Sequence, residues 1–147
     1  MRLTAFTDFG LRLLMRLAGR PDTVLSTETV AREFAISRHH LQKVVQNLAA
    51  AGFVRTRRGA GGGVELARPA AEIRLGEVVR ALEQEQAMVE CFRADGGECR
   101  LTPFCRLRGE LARAEAAFLA SLDRTTLAEC AYGGELAPLT RSGIVGK

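Results

Sequence analysis

The stretch RGAGGG, residues 58–63, is the feature that most limits how this chain can fold. Four of its six residues are glycine, and the segments on either side, FVRTR (53–57) and VELAR (64–68), have the pattern of β-strands. A glycine-rich loop between two such segments predicts a β-hairpin. A phosphate-binding P-loop is excluded, because no Gly-Lys-Ser/Thr follows the glycines and no helix is predicted to start there.

Three helices are predicted before the hairpin. Apolar residues recur at steps of three and four after Thr7, after Ser26 and after Ser37, which places them on one face of each helix. Serine and threonine suit the position that caps the amino terminus of a helix. Two short helices joined by a tight turn form a helix-turn-helix, and a hairpin directly after it is the wing of a winged helix. The predicted fold is therefore mainly α with a small β-hairpin wing.

The charge of the first half indicates a nucleic-acid partner. Residues 1–70 carry eleven basic and five acidic side chains. SRHHLQK alone is equally typical of a solvated polar face, but the wing and the local charge favour DNA. The second helix of a helix-turn-helix meets base edges with its first residues, and a wing arginine reaches a narrow minor groove. The predicted DNA-binding residues are Ser37, Arg38, His39, His40 and Lys43 on the helix and Arg57 and Arg58 on the wing.

The second half is mildly acidic and contains a long helix. A shorter helix is predicted from Ile73 to about Leu82, and the long one from about Thr102, with the apolar stripe Leu107, Leu111, Ala114, Phe118 and Leu122. A helix of about 20 residues is ~30 Å long, more than the winged helix can cover. We therefore expect the stripe to pack on the same helix of a second chain, the alternative being an ordinary core helix. Such a homodimer would read a pseudo-palindromic operator in double-stranded DNA.

The expected compartment is the cytoplasm. No apolar run approaches the roughly 20 residues that span a bilayer, so no membrane association is expected. Asp8 stands where a signal peptide would need an apolar core. Thiols stay reduced in the cytoplasm, where clustered cysteines bind metal more often than they form disulfides.

Three of the four cysteines lie in CFRADGGECRLTPFC, residues 91–105. Seven residues separate Cys91 from Cys99 and five separate Cys99 from Cys105, so the paired units usual for zinc are absent. A catalytic thiol would need a neighbouring base, and no histidine follows His40, so an enzyme is not expected. The spacing favours an iron–sulfur cluster and leaves open a structural zinc site completed from elsewhere or a set of redox thiols. Cys130 is expected to be a buried apolar residue.

Residues 1–130 resemble the IscR/NsrR family of iron–sulfur winged-helix regulators. MRLTAFTDFGLRLL, SRHHLQKVVQNLAAAGFVRTRRGAGGGVELARP and the three-cysteine loop carry the resemblance. LTPFCRLRGELARAEAAFLASLD is similar to the NsrR branch, whose members repress nitric oxide detoxification genes. The resemblance implies that Cys91, Cys99 and Cys105 bind the cluster, that the long helix forms the dimer and that Arg58 is a wing arginine.

The fourth ligand separates the branches of this family. IscR-type regulators place a histidine three residues after the third cysteine, where this sequence has Arg108. NsrR-like proteins use an aspartate near the amino terminus of the partner subunit, and Asp8 is at the matching position. From the residues alone, Asp8 is equally typical of a first-turn acid paired with Arg12. A distinct fourth ligand favours a 4Fe–4S over a 2Fe–2S cluster, although the gap after Cys91 is longer than the five residues usual in relatives.

Three regions and one function are therefore expected. The regions are a winged helix-turn-helix DNA-binding domain over 1–82, a cluster-binding loop and dimerisation helix over 83–130, and a flexible tail over 131–147. The function is that of a homodimeric transcriptional repressor that senses nitric oxide through cluster nitrosylation and then releases its operator. The alternatives are a redox or iron–sulfur sensor regulating cluster assembly or cysteine metabolism, an electron-transfer protein, and a DNA-binding protein with structural zinc.

Overall fold

The structure is a computed structural model that describes residues 3–84 and 86–134. This part of the chain contains five α-helices and one two-stranded antiparallel sheet. They are α1 (Ala5–Ala18), α2 (Thr27–Glu33), α3 (Arg38–Ala50), β1 (Val54–Arg57), β2 (Gly63–Leu66), α4 (Leu75–Leu82) and α5 (Arg106–Leu122). Short 3₁₀ helices lie at Ala70–Glu72, Glu90–Phe92, Thr102–Phe104 and Leu127–Cys130. The predicted fold, a mainly helical chain with a hairpin wing, is confirmed.

Side-chain caps set where the first three helices begin. Ser26 Oγ accepts a hydrogen bond from Thr29 N, and Ser37 Oγ accepts one from His40 N, as predicted for both serines. In α1 the cap is Thr4 rather than Thr7, because Thr4 Oγ1 accepts from the Thr7 backbone at 3.2 Å. The first helix therefore begins before the predicted start, and Thr7 lies inside its first turn with no exposed surface.

The core lies between α1, α3, α4 and the hairpin. Its fully buried side chains are mostly leucine and valine: Leu13, Leu14, Leu17, Val30, Leu41, Val44, Leu48, Val64, Ile73, Val78, Val79 and Leu127. Each such burial contributes roughly 1.5–3 kcal/mol to folding. In the described residues, every helix falls short of the length or the apolar character that crossing a bilayer requires.

The long helix starts later than predicted and lies on the outside. Pro103 belongs to a separate 3₁₀ helix, and the extended backbone of Cys105 divides it from α5. No side chain of α5 is buried, and Leu107 is 62% exposed. The helix contacts α4, and Arg80 Nη1 donates a hydrogen bond to Asp123 Oδ1 at 2.8 Å. In a single chain the apolar stripe is thus only partly covered, because none of its residues is fully buried.

After α5 the chain returns to the winged-helix core. Leu127 is fully buried there, and its amide donates to the Ile73 carbonyl at 2.8 Å. Cys130, which follows it, is half-buried rather than buried as expected. Of the predicted tail over 131–147, residues 135–147 lie outside the described part of the chain. Tyr132, by contrast, donates its amide to the Met15 carbonyl of α1 at 3.0 Å.

One buried ion pair joins α1 to α2. Arg16, only 2% exposed, donates through Nε and Nη2 to the two carboxylate oxygens of Glu33, both at 2.9 Å. Its Nη1 donates to the Gly134 carbonyl at 2.6 Å. The hydrogen bonds from Arg16 hold the pKa of Glu33 below its ordinary value of 4.5. The pair therefore ties the helix-turn-helix to the end of the described chain.

Replacing Glu33 by glutamine should lower the free energy of unfolding by about 1–3 kcal/mol, because the Arg16 charge stays buried without its partner. Since the pKa of Glu33 is lowered on folding, its contribution is complete above pH 4.5 and is lost as the pH falls through the lowered pKa. Denaturant unfolding at neutral and acidic pH measures both effects. Glu72→Gln, at an exposed residue, is the control. Equal stability of the two variants at neutral pH would contradict a stabilising role for the Arg16–Glu33 ion pair.

Candidate DNA interface and cysteine loop

The α3 helix presents the predicted DNA-contacting residues on its exposed face. Arg38, His39, His40 and Lys43 are all exposed. The opposite face is fully buried at Leu41 and fixes the rotation of the helix. Exposed donors at the amino-terminal end of the second helix are what a major-groove contact requires. These residues are therefore accessible at one end of α3, and their contact with DNA stays a prediction.

The wing is fixed at its base and open at its tip. Val54 pairs with Leu66 and Arg57 with Gly63, so the tip consists of the five residues 58–62. At the base, Val64 exchanges two backbone hydrogen bonds with Leu25, at 2.8 and 2.9 Å, and its side chain is fully buried.

The tip itself depends on glycine. Gly59 and Gly61 have φ values of 91° and 75°, in the left-handed region that glycine adopts without strain. Arg58 lies in this tip and is exposed.

The two predicted wing arginines differ in their surroundings. In the described residues, no ion pair involves Arg58, which is therefore available to a phosphate or a groove. Arg57 lies at the end of β1, where its Nε is 3.4 Å from a carboxylate oxygen of Glu65. Sequence reasoning missed Glu65, although the hairpin register that places Glu65 opposite Arg55 could have indicated it.

The three clustered cysteines lie on one loop between α4 and α5. Cys91 is in the 3₁₀ helix Glu90–Phe92, Cys99 precedes the next turn, and Cys105 is the residue before α5. All three are free thiols and half-buried. Cys91 and Cys105 line one open depression of about 700 Å³. Within the described residues, however, no three side chains of His, Cys, Asp or Glu converge as a metal site would require.

The cysteine loop folds upon itself. Gly96 and Gly97 have φ values of 80° and 61°, and a Cβ on Gly97 would lie 2.5 Å from the Glu90 carbonyl oxygen. The Glu90 carboxylate accepts from the Glu98 amide at 3.0 Å. These contacts bring Glu98, and with it the neighbouring Cys99, back towards the segment that carries Cys91. Gly96 and Gly97 thus allow the longer first gap to fold back on itself.

The donor set of this loop fits a soft metal centre. Three free thiols can provide three thiolate ligands, and thiolates suit iron–sulfur clusters and zinc. Thr102 Oγ1, between Cys99 and Cys105, is buried without a hydrogen-bond partner in the described residues, so it is available to donate to sulfur. Arg108 cannot replace the histidine ligand of IscR-type regulators, because a guanidinium group offers hydrogen-bond donors and no acceptor. It lies over the Phe92 ring, 5.9 Å from its centre.

Asp8 forms an ion pair with Arg12, the alternative role that the sequence analysis gave for this residue. Arg12 Nε donates to Asp8 Oδ1 at 3.0 Å, and Arg12 Nη2 is 2.6 Å from Asp8 Oδ2. Both side chains are about half exposed. The carboxylate is therefore on the surface of α1, accessible to a second chain, and held in one orientation by Arg12.

A helix-turn-helix with a basic wing, joined to a long helix whose apolar stripe is only partly covered in one chain, defines a winged-helix DNA-binding regulator. The chain belongs to the Rrf2 family, whose model, described as an iron-dependent transcriptional regulator, matches residues 3–132. The resemblance inferred from the motifs is thereby confirmed, and the family is one of regulators.

Individual relatives agree with this assignment. The chain is 45% identical over 130 residues to the HTH-type transcriptional regulator NsrR of Geobacillus kaustophilus (strain HTA426), covering 88% of each chain. It is 42% identical over 128 residues to NsrR of Bacillus subtilis (strain 168), covering 86% of this chain and 88% of the relative. Among solved structures it is similar to CymR, the global cysteine regulator of B. subtilis, with a TM-score of 0.69 and 27% identity. That match covers 89% of this chain and 96% of CymR.

Replacing Arg58 by alanine should weaken binding to all duplexes about equally and reduce the salt slope by roughly one, the signature of one lost phosphate contact. Replacing Arg38 by alanine should instead cost about 1–3 kcal/mol on the operator and less on unrelated DNA, as expected for a base contact. Fluorescence anisotropy across a salt series measures both. Arg124→Ala, which removes an arginine beyond α5, is the control. An equally large loss of DNA affinity in this variant would contradict the assignment of Arg58 and Arg38 to the DNA interface.

Proposed function

We propose that this protein is a homodimeric iron–sulfur repressor that acts on DNA in the cytoplasm and releases its operator in response to nitric oxide. The observation that carries the proposal is the loop of three free, half-buried thiols attached to a winged helix. The 45% identity to an NsrR regulator supports the same conclusion.

Cys91, Cys99 and Cys105 would hold the cluster, and the partner's Asp8 would provide the fourth ligand. A carboxylate beside three thiolates makes one iron site distinct, which favours a 4Fe–4S over a 2Fe–2S cluster. When bound, the cluster supplies iron that nitric oxide ligates strongly. The Thr102 hydroxyl would donate a hydrogen bond to sulfur in this loop and so gain the partner that it lacks in the described residues.

The cysteine loop adjoins a contact that reaches the DNA-binding unit. Glu83, directly after α4, accepts hydrogen bonds from the Thr4 amide at 2.8 Å and the Thr4 hydroxyl at 2.9 Å. Burial opposes ionisation of Glu83, but hydrogen bonds from Thr7 and Thr4 outweigh it and keep its pKa below the ordinary value. The end of α4 is thus tied to the start of α1, which contacts the recognition helix α3.

A change in the order of the loop would therefore alter how α1 and α3 are held. A coupling of ~1–3 kcal/mol is enough to change DNA affinity roughly five- to a hundred-fold. In the dimer, the partly covered stripe of α5 would pack on its copy. The two recognition helices would then meet successive major grooves of a pseudo-palindromic operator.

Removing the cluster ligands should abolish both the cluster and the response. Anaerobically purified Cys91→Ser, Cys99→Ser and Cys105→Ser variants, and the triple variant, should lack the visible absorption and iron content of the parent. Nitric oxide should not change their affinity for a promoter fragment. Cys130→Ser, which alters the thiol outside the loop, should retain both properties. A triple variant that still releases DNA on adding nitric oxide would disprove the sensing mechanism.

Asp8 and Arg12 offer a matched pair of variants. Asp8→Asn should leave a cluster with altered absorption and a changed rate of reaction with nitric oxide, because a ligand is lost. Arg12→Gln breaks the same ion pair, worth up to about 1 kcal/mol, but keeps the carboxylate, so its spectrum should stay close to that of the parent. If Asp8→Asn also matches the parent in spectrum and rate, Asp8 is only the partner of Arg12.

A second function is favoured by two observations: the three thiols do not converge on a site in the described residues, and the fold is similar to that of a cysteine regulator. In that case the chain would be a redox-sensing regulator of cysteine metabolism or cluster assembly. Iron and sulfide analysis of anaerobic protein distinguishes the two, and zinc in their place would indicate a structural zinc site.

A further inference from the structure

We propose that Glu65 limits the sequence-independent affinity of the wing for DNA by forming ion pairs with Arg55 and Arg57. Its Oε1 is 2.9 Å from Arg55 Nε and 3.4 Å from Arg57 Nε. One carboxylate is therefore shared by two guanidinium groups. The proposal rests on DNA binding by the winged helix but not on the cluster or its signal.

The hairpin register places these three side chains together. Arg55 and Arg57 are two residues apart on β1 and so share one face of the sheet. Glu65 is the cross-strand partner of Arg55 and lies on that face. The opposite face carries Val54 and Val64, which are buried in the core. The ion-paired face of the hairpin is therefore the outer one, where DNA phosphates would approach.

Exposure differs between the acid and the two bases. The Glu65 side chain is 13% exposed, whereas those of Arg55 and Arg57 are 65% and 64% exposed. The carboxylate is covered while the guanidinium groups face solvent. A phosphate can reach the arginines, but it meets a pair of cations whose charge is already half neutralised. Arg58, one residue further, has no such partner in the described residues.

Sequence-independent DNA affinity comes mainly from phosphate contacts, each of which adds about 0.9 to the slope of log affinity against log salt concentration. A shared internal carboxylate removes part of that contribution from Arg55 and Arg57 and leaves Arg58 and α3 unchanged. Glu65 would thus lower the affinity for every duplex by a similar factor, because a phosphate contact carries no sequence information.

The experiment compares Glu65→Gln with Glu72→Gln, which removes the same charge at an exposed residue outside the wing. Anisotropy titrations use the full chain with a short duplex of random sequence and with a promoter fragment, between about 50 and 200 mM salt. Glu65→Gln should bind the random duplex roughly three- to tenfold more tightly than the parent and steepen its salt slope by about one to two. The affinity for the promoter fragment should rise by a similar factor. Glu72→Gln should differ from the parent by less than about twofold.

A double-mutant cycle makes the outcome specific to the ion pairs. In an Arg55→Gln/Arg57→Gln background, Glu65→Gln should no longer strengthen binding to random sequence, because the arginines it released are gone. An equal effect in both backgrounds, an effect no larger than that of Glu72→Gln, or weaker binding by Glu65→Gln would each overturn the proposal. Release of the promoter by nitric oxide, measured on the unmodified chain, tests the proposed function separately.

Discussion

The architecture depends on a chain that leaves the winged-helix core at Leu82 and returns to it at Leu127. Both residues are buried there, and the Leu127 amide bonds the Ile73 carbonyl just before α4. The cysteine loop and α5 are therefore fixed to the DNA-binding unit at both ends. A loop attached at one end could rearrange without moving its neighbours. In the proposed mechanism, a loop attached at both ends would pass a rearrangement to α4 and, through Glu83 and Thr4, to α1. A chemical event at the loop would then have a physical route to DNA.

Local signals in the sequence were sufficient for the winged helix. The caps at Ser26 and Ser37 and the glycine-rich hairpin are short-range features, and the structure has each of them. The start of α1 was misplaced because Thr4 and Thr7 are both plausible caps, and only the contact of Thr4 with Glu83, far along the chain, favours the first. Long-range pairing of this kind leaves no periodic trace in a sequence.

The same limit applies to the candidate sites. The exposed face of α3 follows from its buried stripe, so the sequence could predict it. Burial of Leu127 and docking of Tyr132 on α1 could not be predicted, because both segments are short and their partners lie about 50 and more than 100 residues away in the chain. The cysteine spacing identified a loop of thiols, but the proposed cluster and a contact between two chains leave no pattern in one sequence. The partner's Asp8 therefore stays a prediction.

Amide hydrogen exchange of anaerobic protein, before and after stoichiometric nitric oxide, tests most directly whether the loop is coupled to the DNA-binding unit. The account predicts faster exchange over 86–104 together with faster exchange in α1 and at the end of α4, accompanied by release of operator DNA. Release of DNA with faster exchange confined to 86–104, while α1 and α4 keep their protection, would contradict it.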